Sequence, residues 1–123
     1  MDIALKRIYD APSPDDGCRV LVDRLWPRGV TRERAELDAW LKDVAPSPEL
    51  RGWWNHDPER LGEFADRYRA ELDGTPATVG AVAELRALAQ AHAPGRTTLV
   101  YGARDPQVNH ARILAEYLAG GAA

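Results

Sequence analysis

The sequence predicts a single small α/β domain, with a short, mainly parallel sheet of at least three strands and helices packed around it. Short β-branched runs alternate with helical stretches along the chain. Two of those runs are apolar without polar alternation, which is typical of strands covered on both faces. The length of 123 residues fits one compact domain. We expect residues 1–119 to form this domain and residues 120–123 to be a frayed tail.

Three runs of β-branched and apolar residues predict the strands. They cover residues 3–9, 18–23 and 96–102. The link of about nine residues between the first two runs is short for a parallel crossover. The sequence therefore leaves the direction of the first strand open.

Prolines that follow a good N-cap residue predict where helices begin. These pairs are Ser47-Pro48, Asp57-Pro58, Thr75-Pro76 and Asp105-Pro106, and Ser13-Pro14 predicts a single turn. The apolar residues after Asp57, Thr75 and Asp105 follow the spacing i, i+3, i+4, i+7, so each of these three pairs predicts the start of a long helix. A further helix is predicted over residues 31–43, and a short helical turn over residues 47–54.

Composition and motifs exclude several classes of protein. The formal charge of −3, from 16 basic and 19 acidic residues, argues against a broad nucleic-acid surface. One cysteine, Cys18, and three separated histidines suit neither a disulfide nor a zinc site. The chain carries no phosphate-loop, dinucleotide or serine-hydrolase motif and no apolar run long enough to span a membrane, and we expect no signal peptide. We expect a cytoplasmic protein without metal, cofactor, membrane or nucleic-acid partner.

Arginines at the ends of the predicted strands form the candidate site. Lys6 and Lys42 are the only lysines, so 14 of the 16 basic residues are arginine. Ligands gather beyond the carboxyl ends of parallel strands, and the guanidinium fork recognises phosphate and carboxylate. The predicted helix start at Asp105 adds free amide hydrogens. We expect an anionic small molecule, a phosphate or nucleotide, to bind Arg7, Arg24, Trp26, Arg28, Arg104 and Asn109.

Three residues near this site are candidates for acid or base chemistry, namely Asp23, His56 and His110. Each also has a structural explanation. Asp23 can pair with an arginine, His56 can be a loop residue, and His110 can be a half-buried histidine bonded into the sheet edge. A network of ion pairs explains the arginines equally well. The sequence leaves open whether the ligand is transformed, by hydrolysis or transfer, or only bound.

A second hypothesis is a non-enzymatic protein-interaction or dimerisation module. In that case the arginines form structural ion pairs, and the adjacent Trp53 and Trp54 form a surface for a partner or for a second copy of the chain. An exposed apolar patch at these two residues would favour this hypothesis.

Motifs distributed over nearly the whole chain resemble the YeaO-like branch of the family called domain of unknown function 488. They are LKRIYD at residues 5–10, DGCRVLVDRLWPRG at 16–29, HDPER at 56–60, FADRYRAEL at 64–72, and YGARD with NHA at 101–105 and 109–111. The resemblance implies a small bacterial or archaeal cytosolic α/β protein and no particular reaction. It places Arg24 and Arg28 on one family segment and residues 104–110 on another. Cys18 stands where the family usually has an aromatic residue, which argues against a nucleophilic role.

Overall fold

The computed structural model describes residues 2–120. The strands are β1 (Asp2–Arg7), β2 (Cys18–Leu21), β3 (Ala39–Trp40) and β4 (Arg96–Tyr101), and the helices are α1 (Arg32–Ala35), α2 (Pro48–Trp54), α3 (Leu61–Gly74), α4 (Pro76–His92) and α5 (His110–Gly120). Three 3₁₀ turns cover Pro14–Asp16, Lys42–Val44 and Pro58–Arg60. Gly120 ends α5, and the rest of the expected frayed tail lies outside the described residues.

The four strands form one sheet in the order β1-β4-β2-β3, and every neighbouring pair is parallel. The last strand therefore lies between the first two. Arg7 pairs with Tyr101 on one side of β4, and Leu21 pairs with Val100 on the other side. This arrangement confirms the predicted fold class and fixes the direction of the first strand. It also brings the carboxyl ends of all four strands to one edge.

The two faces of the sheet are covered differently. Val20 and Leu99 point into the larger core, where residues of α2, α3, α4 and α5 pack against them. Leu21 and Val100 point the other way, into a smaller cluster with Val30 and the α1 residue Ala35. Since both faces are buried, β2 and β4 carry continuous apolar runs, as the sequence predicted.

A buried ion network lies on the second face, around the residue that ends the first 3₁₀ turn. The Asp16 carboxylate accepts hydrogen bonds from Lys6 Nζ at 3.0 Å and from Arg19 Nη1 at 2.7 Å. It also accepts from the Ser13 backbone N at 2.9 Å. Burial alone would raise the pKa of Asp16, but the hydrogen bonds from Ser13, Lys6 and Arg19 outweigh it and lower that pKa. The network ties β1 to β2 through side chains.

The prediction of one helix over residues 31–43 is wrong, because the structure has a short helix and a strand there. Helix α1 stops at Ala35 because Glu36 adopts a left-handed backbone with φ of 47°. The chain then pairs with β2 as β3, where Leu41 N donates to Leu21 O at 3.0 Å. The Trp40 indole donates to Asp23 O at 2.7 Å. Pairing at the edge of the sheet thus overrides the local helical spacing.

The predicted start of the last helix is also wrong. Asp105 Oδ1 accepts from the backbone N of Gln107 and of Val108, which closes a separate turn. Helix α5 begins at His110, and the side chain of Asn109 caps it by accepting from Arg112 N at 2.9 Å. Among residues 2–120, no helix combines the length and the apolar character that a membrane span requires.

Candidate functional site

A hollow of about 410 Å³ opens at the carboxyl ends of β2 and β4. The segments that follow these strands form part of its wall, and the loop before α2 together with residues of α2 forms the rest. Its charged and imidazole side chains are Asp23, Arg24, Arg28, Arg51, His56 and His110. Three arginines and one carboxylate are among the lining residues, so the lining has more positive than negative side chains, although the chain as a whole carries −3.

Arg24 lines the hollow but its guanidinium group is already engaged. Nε donates to Pro46 O at 3.2 Å and Nη2 donates to Ala45 O at 3.1 Å. Nη1 lies 3.4 Å from the carboxylate of Asp43. Arg24 therefore holds the loop before α2 against the end of β2, and this loop forms part of the wall.

Arg28 is held at the rim of the hollow by its backbone. Gly29, which follows it, has φ of 73°, a left-handed conformation that favours glycine in a tight turn. The Tyr9 hydroxyl donates to Arg28 O at 3.0 Å and ties this turn to the end of β1. The Arg28 side chain is exposed and forms no ion pair with any residue that the structure describes.

Arg51 is a lining residue that the sequence analysis missed. It lies on α2, which begins after Ser47, it is exposed, and it lines the same hollow as Arg28. Its guanidinium group forms no ion pair with a carboxylate among residues 2–120. Sequence signals predict a helical turn at this place, but they do not show that this turn faces the strand ends.

The two remaining arginines of the predicted set lie outside this hollow. Arg7 Nε donates to Ala103 O at 2.8 Å and so supports the segment after β4. Arg104 is exposed and lines a second hollow of about 400 Å³, which shares His56, Gly102 and Ala103 with the first. The four arginines thus reach the same edge of the sheet, and two of them line the same hollow.

Asp23 bridges the ends of β2 and β4. Its Oδ2 accepts from Gly102 N at 2.8 Å, and a Cβ atom at position 102 would lie 3.0 Å from that oxygen. Glycine therefore permits this close approach. The Oδ1 atom is buried, has no hydrogen-bond partner among the described residues, and lies 3.5 Å from His110 Nε2. Among the described residues, Asp23 forms no ion pair with an arginine, although such a pair was its structural explanation in the sequence analysis.

His110 is held by the sheet edge. Its Nε2 lies 2.9 Å from Val22 O, and because a carbonyl oxygen only accepts, Nε2 carries the hydrogen. Burial lowers the pKa of His110 below its usual 6.5, although the charge of Asp23 acts in the opposite direction. The imidazole is therefore neutral near pH 7, and its Nδ1 has no hydrogen-bond partner among residues 2–120.

His56 lies at the boundary between the two hollows. Asn55 and His56 have φ of 47° and 55°, a pair of left-handed residues that ends α2 and directs the chain into the next turn. The His56 ring packs against Trp54, with ring centroids 4.8 Å apart. Its side chain is exposed. The following residue, Asp57, caps the 3₁₀ turn Pro58–Arg60 and not, as predicted, the long helix itself, which begins at Leu61.

The other two predicted ligand residues have structural contacts. Trp26 lines the hollow, donates from Nε1 to Val30 O at 2.7 Å, and packs edge-on against Trp40. Asn109 is only 1% exposed; its Nδ2 donates to Asp105 O in the turn before α5, and its Oδ1 accepts from Arg112 N in α5. Among residues 2–120, no three His, Cys, Asp or Glu side chains are close enough together to hold a metal ion.

Cys18 and the tryptophan pair are both accounted for by packing. Cys18 is 1% exposed, and burial raises the pKa of its thiol, which leaves it protonated. Trp54 is buried and stacks on Phe64 with ring centroids 3.9 Å apart. Trp53 is half-buried, with the guanidinium groups of Arg60 and Arg67 within 5.2 Å and 4.4 Å of its ring centroid.

Together the fold and the hollow define a small, parallel α/β domain with a hollow at its strand ends that three arginines help to line. A family model described as "Inactive DUF488-N3 subclade" matches residues 2–122. The chain belongs to the YeaO-like proteins of the DUF488 family. The family expected from the sequence motifs is therefore confirmed.

Curated relatives match along almost their whole length. An uncharacterized protein of Mycobacterium tuberculosis is 45% identical over 120 residues, which cover 96% of this chain and 94% of the relative. The uncharacterized protein YeaO of Escherichia coli is 38% identical over 118 residues, which cover 96% of this chain and 97% of YeaO. No solved structure matches the chain significantly.

Proposed function

We propose that the protein binds a small anionic ligand, a phosphate or a nucleotide, in the hollow at the strand ends. The observation that carries this proposal is the pair Arg28 and Arg51. Both residues line the hollow, and neither guanidinium group has a carboxylate partner among the described residues. Arginine is well suited to phosphate because its planar fork donates two parallel hydrogen bonds.

Arg24 supports the same proposal in a different role. Its hydrogen bonds to two backbone carbonyls hold the loop before α2, so its charge stays beside the hollow in a fixed position. A preorganised cation costs little conformational entropy when an anion binds. Arg24, whose charge Asp43 partly offsets, would therefore position the wall of the site, while Arg28 and Arg51 would contact the anion.

We expect binding without chemical turnover. The family model that matches the chain is described as an inactive subclade. His110 donates its Nε2 hydrogen to Val22 O, and Asp23 Oδ2 is bonded to Gly102 N, so both side chains serve the scaffold. If a hydrolysis or transfer reaction takes place, Asp23, His56 and His110 are the acid or base candidates that line the hollow.

The test is a titration with sulfate, inorganic phosphate, AMP and ADP, followed by calorimetry and by the change in Tm. Hydrogen bonds to charged groups contribute about 1.5–3 kcal/mol each, so Arg28→Ala and Arg51→Ala should each weaken binding by about tenfold or more. Arg34→Ala is the matched control, because Arg34 is exposed, forms no ion pair among residues 2–120 and lines neither hollow. Absence of binding by every anion, or equal loss in Arg34→Ala, would refute the proposal.

The alternative, an interaction or dimerisation module, is tested by the oligomeric state. Trp54 is buried and Trp53 lies between two arginines, so these residues do not supply a continuous apolar patch. Light scattering coupled to size exclusion should then give the mass of one chain, 13.6 kDa. A stable dimer that Trp53→Ser dissociates would favour the alternative.

A further inference from the structure

We propose that the ligand of this hollow carries an aromatic or similarly flat apolar group next to its anionic group. This inference rests on the proposed anion site and names the ligand class more narrowly. Three large hydrophobic residues are exposed among residues 2–120, namely Tyr9 at 37%, Leu25 at 61% and Val79 at 42%. Tyr9 and Leu25 both line the hollow that holds Arg28 and Arg51.

The exposure of Leu25 is built into the fold. Its neighbour Arg24 is bonded to Pro46 O and Ala45 O, and its other neighbour Trp26 is bonded to Val30 O. Both flanking side chains are anchored to the protein, so the backbone between them holds Leu25 on the outside. An apolar side chain fixed in water beside a cation-lined hollow loses hydration when a flat apolar group covers it.

Tyr9 is also fixed in place at the rim. Its hydroxyl donates to Arg28 O, and the guanidinium group of Arg7 lies 5.3 Å from the centre of its ring. The hydroxyl bond joins the apolar rim directly to the turn that presents Arg28. Tyr9 and Arg28 are thereby neighbours in the wall of the same hollow.

The size and shape of the hollow also favour a ligand larger than a bare anion. About 410 Å³ lies within the range of about 300–1,000 Å³ that small-molecule sites occupy. A phosphate ion bound by Arg28 and Arg51 would leave most of this volume empty. Two apolar side chains at the rim of a concave, charged hollow suit a small molecule, whereas a protein partner requires a larger contiguous patch.

The experiment compares inorganic phosphate, phenyl phosphate and phenol, with tryptophan fluorescence and calorimetry as readouts. Trp26 and Trp54 line the hollow, so fluorescence reports its occupancy. We expect phenyl phosphate to bind about tenfold more tightly than inorganic phosphate, and phenol to bind most weakly. Leu25→Ala should remove most of this preference, measured as the ratio of the affinities for phenyl phosphate and inorganic phosphate. Val79→Ala is the matched control, since Val79 is similarly exposed on α4 and does not line the hollow.

The outcomes separate this inference from the proposed function. If inorganic phosphate binds and phenyl phosphate binds no more tightly, the inference is wrong and the anion site stands. If phenyl phosphate is preferred but Leu25→Ala and Val79→Ala behave alike, the rim assignment is wrong. If neither phosphate nor phenyl phosphate binds, the anion site and the inference fail together. Unchanged Tm values in both variants exclude loss of folding as the cause.

Discussion

Replacing Asp16 with asparagine should destabilise the protein strongly, because the substitution removes a negative charge that two cations share. Arg19 is 3% exposed and its Nη1 lies 2.7 Å from Asp16 Oδ2, while Lys6 Nζ lies 3.0 Å from Oδ1. Removing one partner of a buried ion pair costs about 3–5 kcal/mol, since the remaining charge is buried without compensation. Asparagine keeps the volume and one acceptor oxygen, so we expect about 3 kcal/mol.

The loss should be visible as a lower urea midpoint in tryptophan fluorescence, and as a Tm lower by roughly 10 °C for a chain of this size. Asp15→Asn is the matched control, since Asp15 is exposed and adjacent to Asp16. Its free energy of unfolding should change by less than about 0.5 kcal/mol. If Asp16→Asn also changes the free energy of unfolding by less than this amount, the network does not hold β1 to β2.

The pH dependence gives a second readout of the same carboxylate. The folded protein lowers the pKa of Asp16 below its ordinary 3.8, so the carboxylate contributes stability above that pH. This contribution is lost as the pH falls through the folded pKa. Asp16→Asn should therefore lose less stability between neutral and acidic pH than the natural chain does. Parallel curves for the two proteins would contradict this assignment.

Two further predictions concern His110 and Gly17. Burial lowers the folded pKa of His110 below 6.5, so the unfolded chain binds more protons and the free energy of unfolding should fall as the pH drops below 6.5. His110→Asn should flatten this decline in urea titrations, and an unchanged slope would show that another group causes it. Gly17 has φ of 64°, and a Cβ atom there would lie 2.0 Å from Arg96 O. Gly17→Ala should lower the free energy of unfolding by more than about 3 kcal/mol. Gly29→Ala should lower it by only about 1 kcal/mol, because Gly29 has φ of 73° but an added Cβ would meet no atom within 4 Å. Thermal unfolding measures both changes.

Helix starts were predictable because their signals are local. The side chains of Ser13, Ser47 and Asp57 each accept a backbone hydrogen bond at the start of a turn or helix, and a proline follows each of them. Thr75 precedes a helix without making such a bond, so the proline and the apolar spacing suffice there. Asp105 makes its cap bonds too, but they close a turn, because Asn109 supplies a better-placed cap for α5.

The short edge strand was not predictable from local pattern. Residues 39–40 carry helical spacing, and only pairing with Val20 and Leu21 makes them β3. Two residues are too few to show alternation, so the signal lies in the partner strand. The same limit applies to Arg51. This residue lines the hollow because of the way helix α2 packs in the folded chain, and that packing has no local signal in the sequence.

The candidate site shows the same division between local and distant information. The sequence by itself determined that arginines follow the strands, that His110 belongs near the sheet edge, and that the chain is a YeaO-like α/β domain. Tertiary structure alone decided which guanidinium groups are engaged by the scaffold, as in Arg7 and Arg24, and which lack a carboxylate partner, as in Arg28 and Arg51. The physical reason is the distance along the chain over which each kind of interaction acts. Backbone preferences and caps act over a few neighbouring residues, whereas the partner of a long charged side chain is set by segments that meet only in the folded chain.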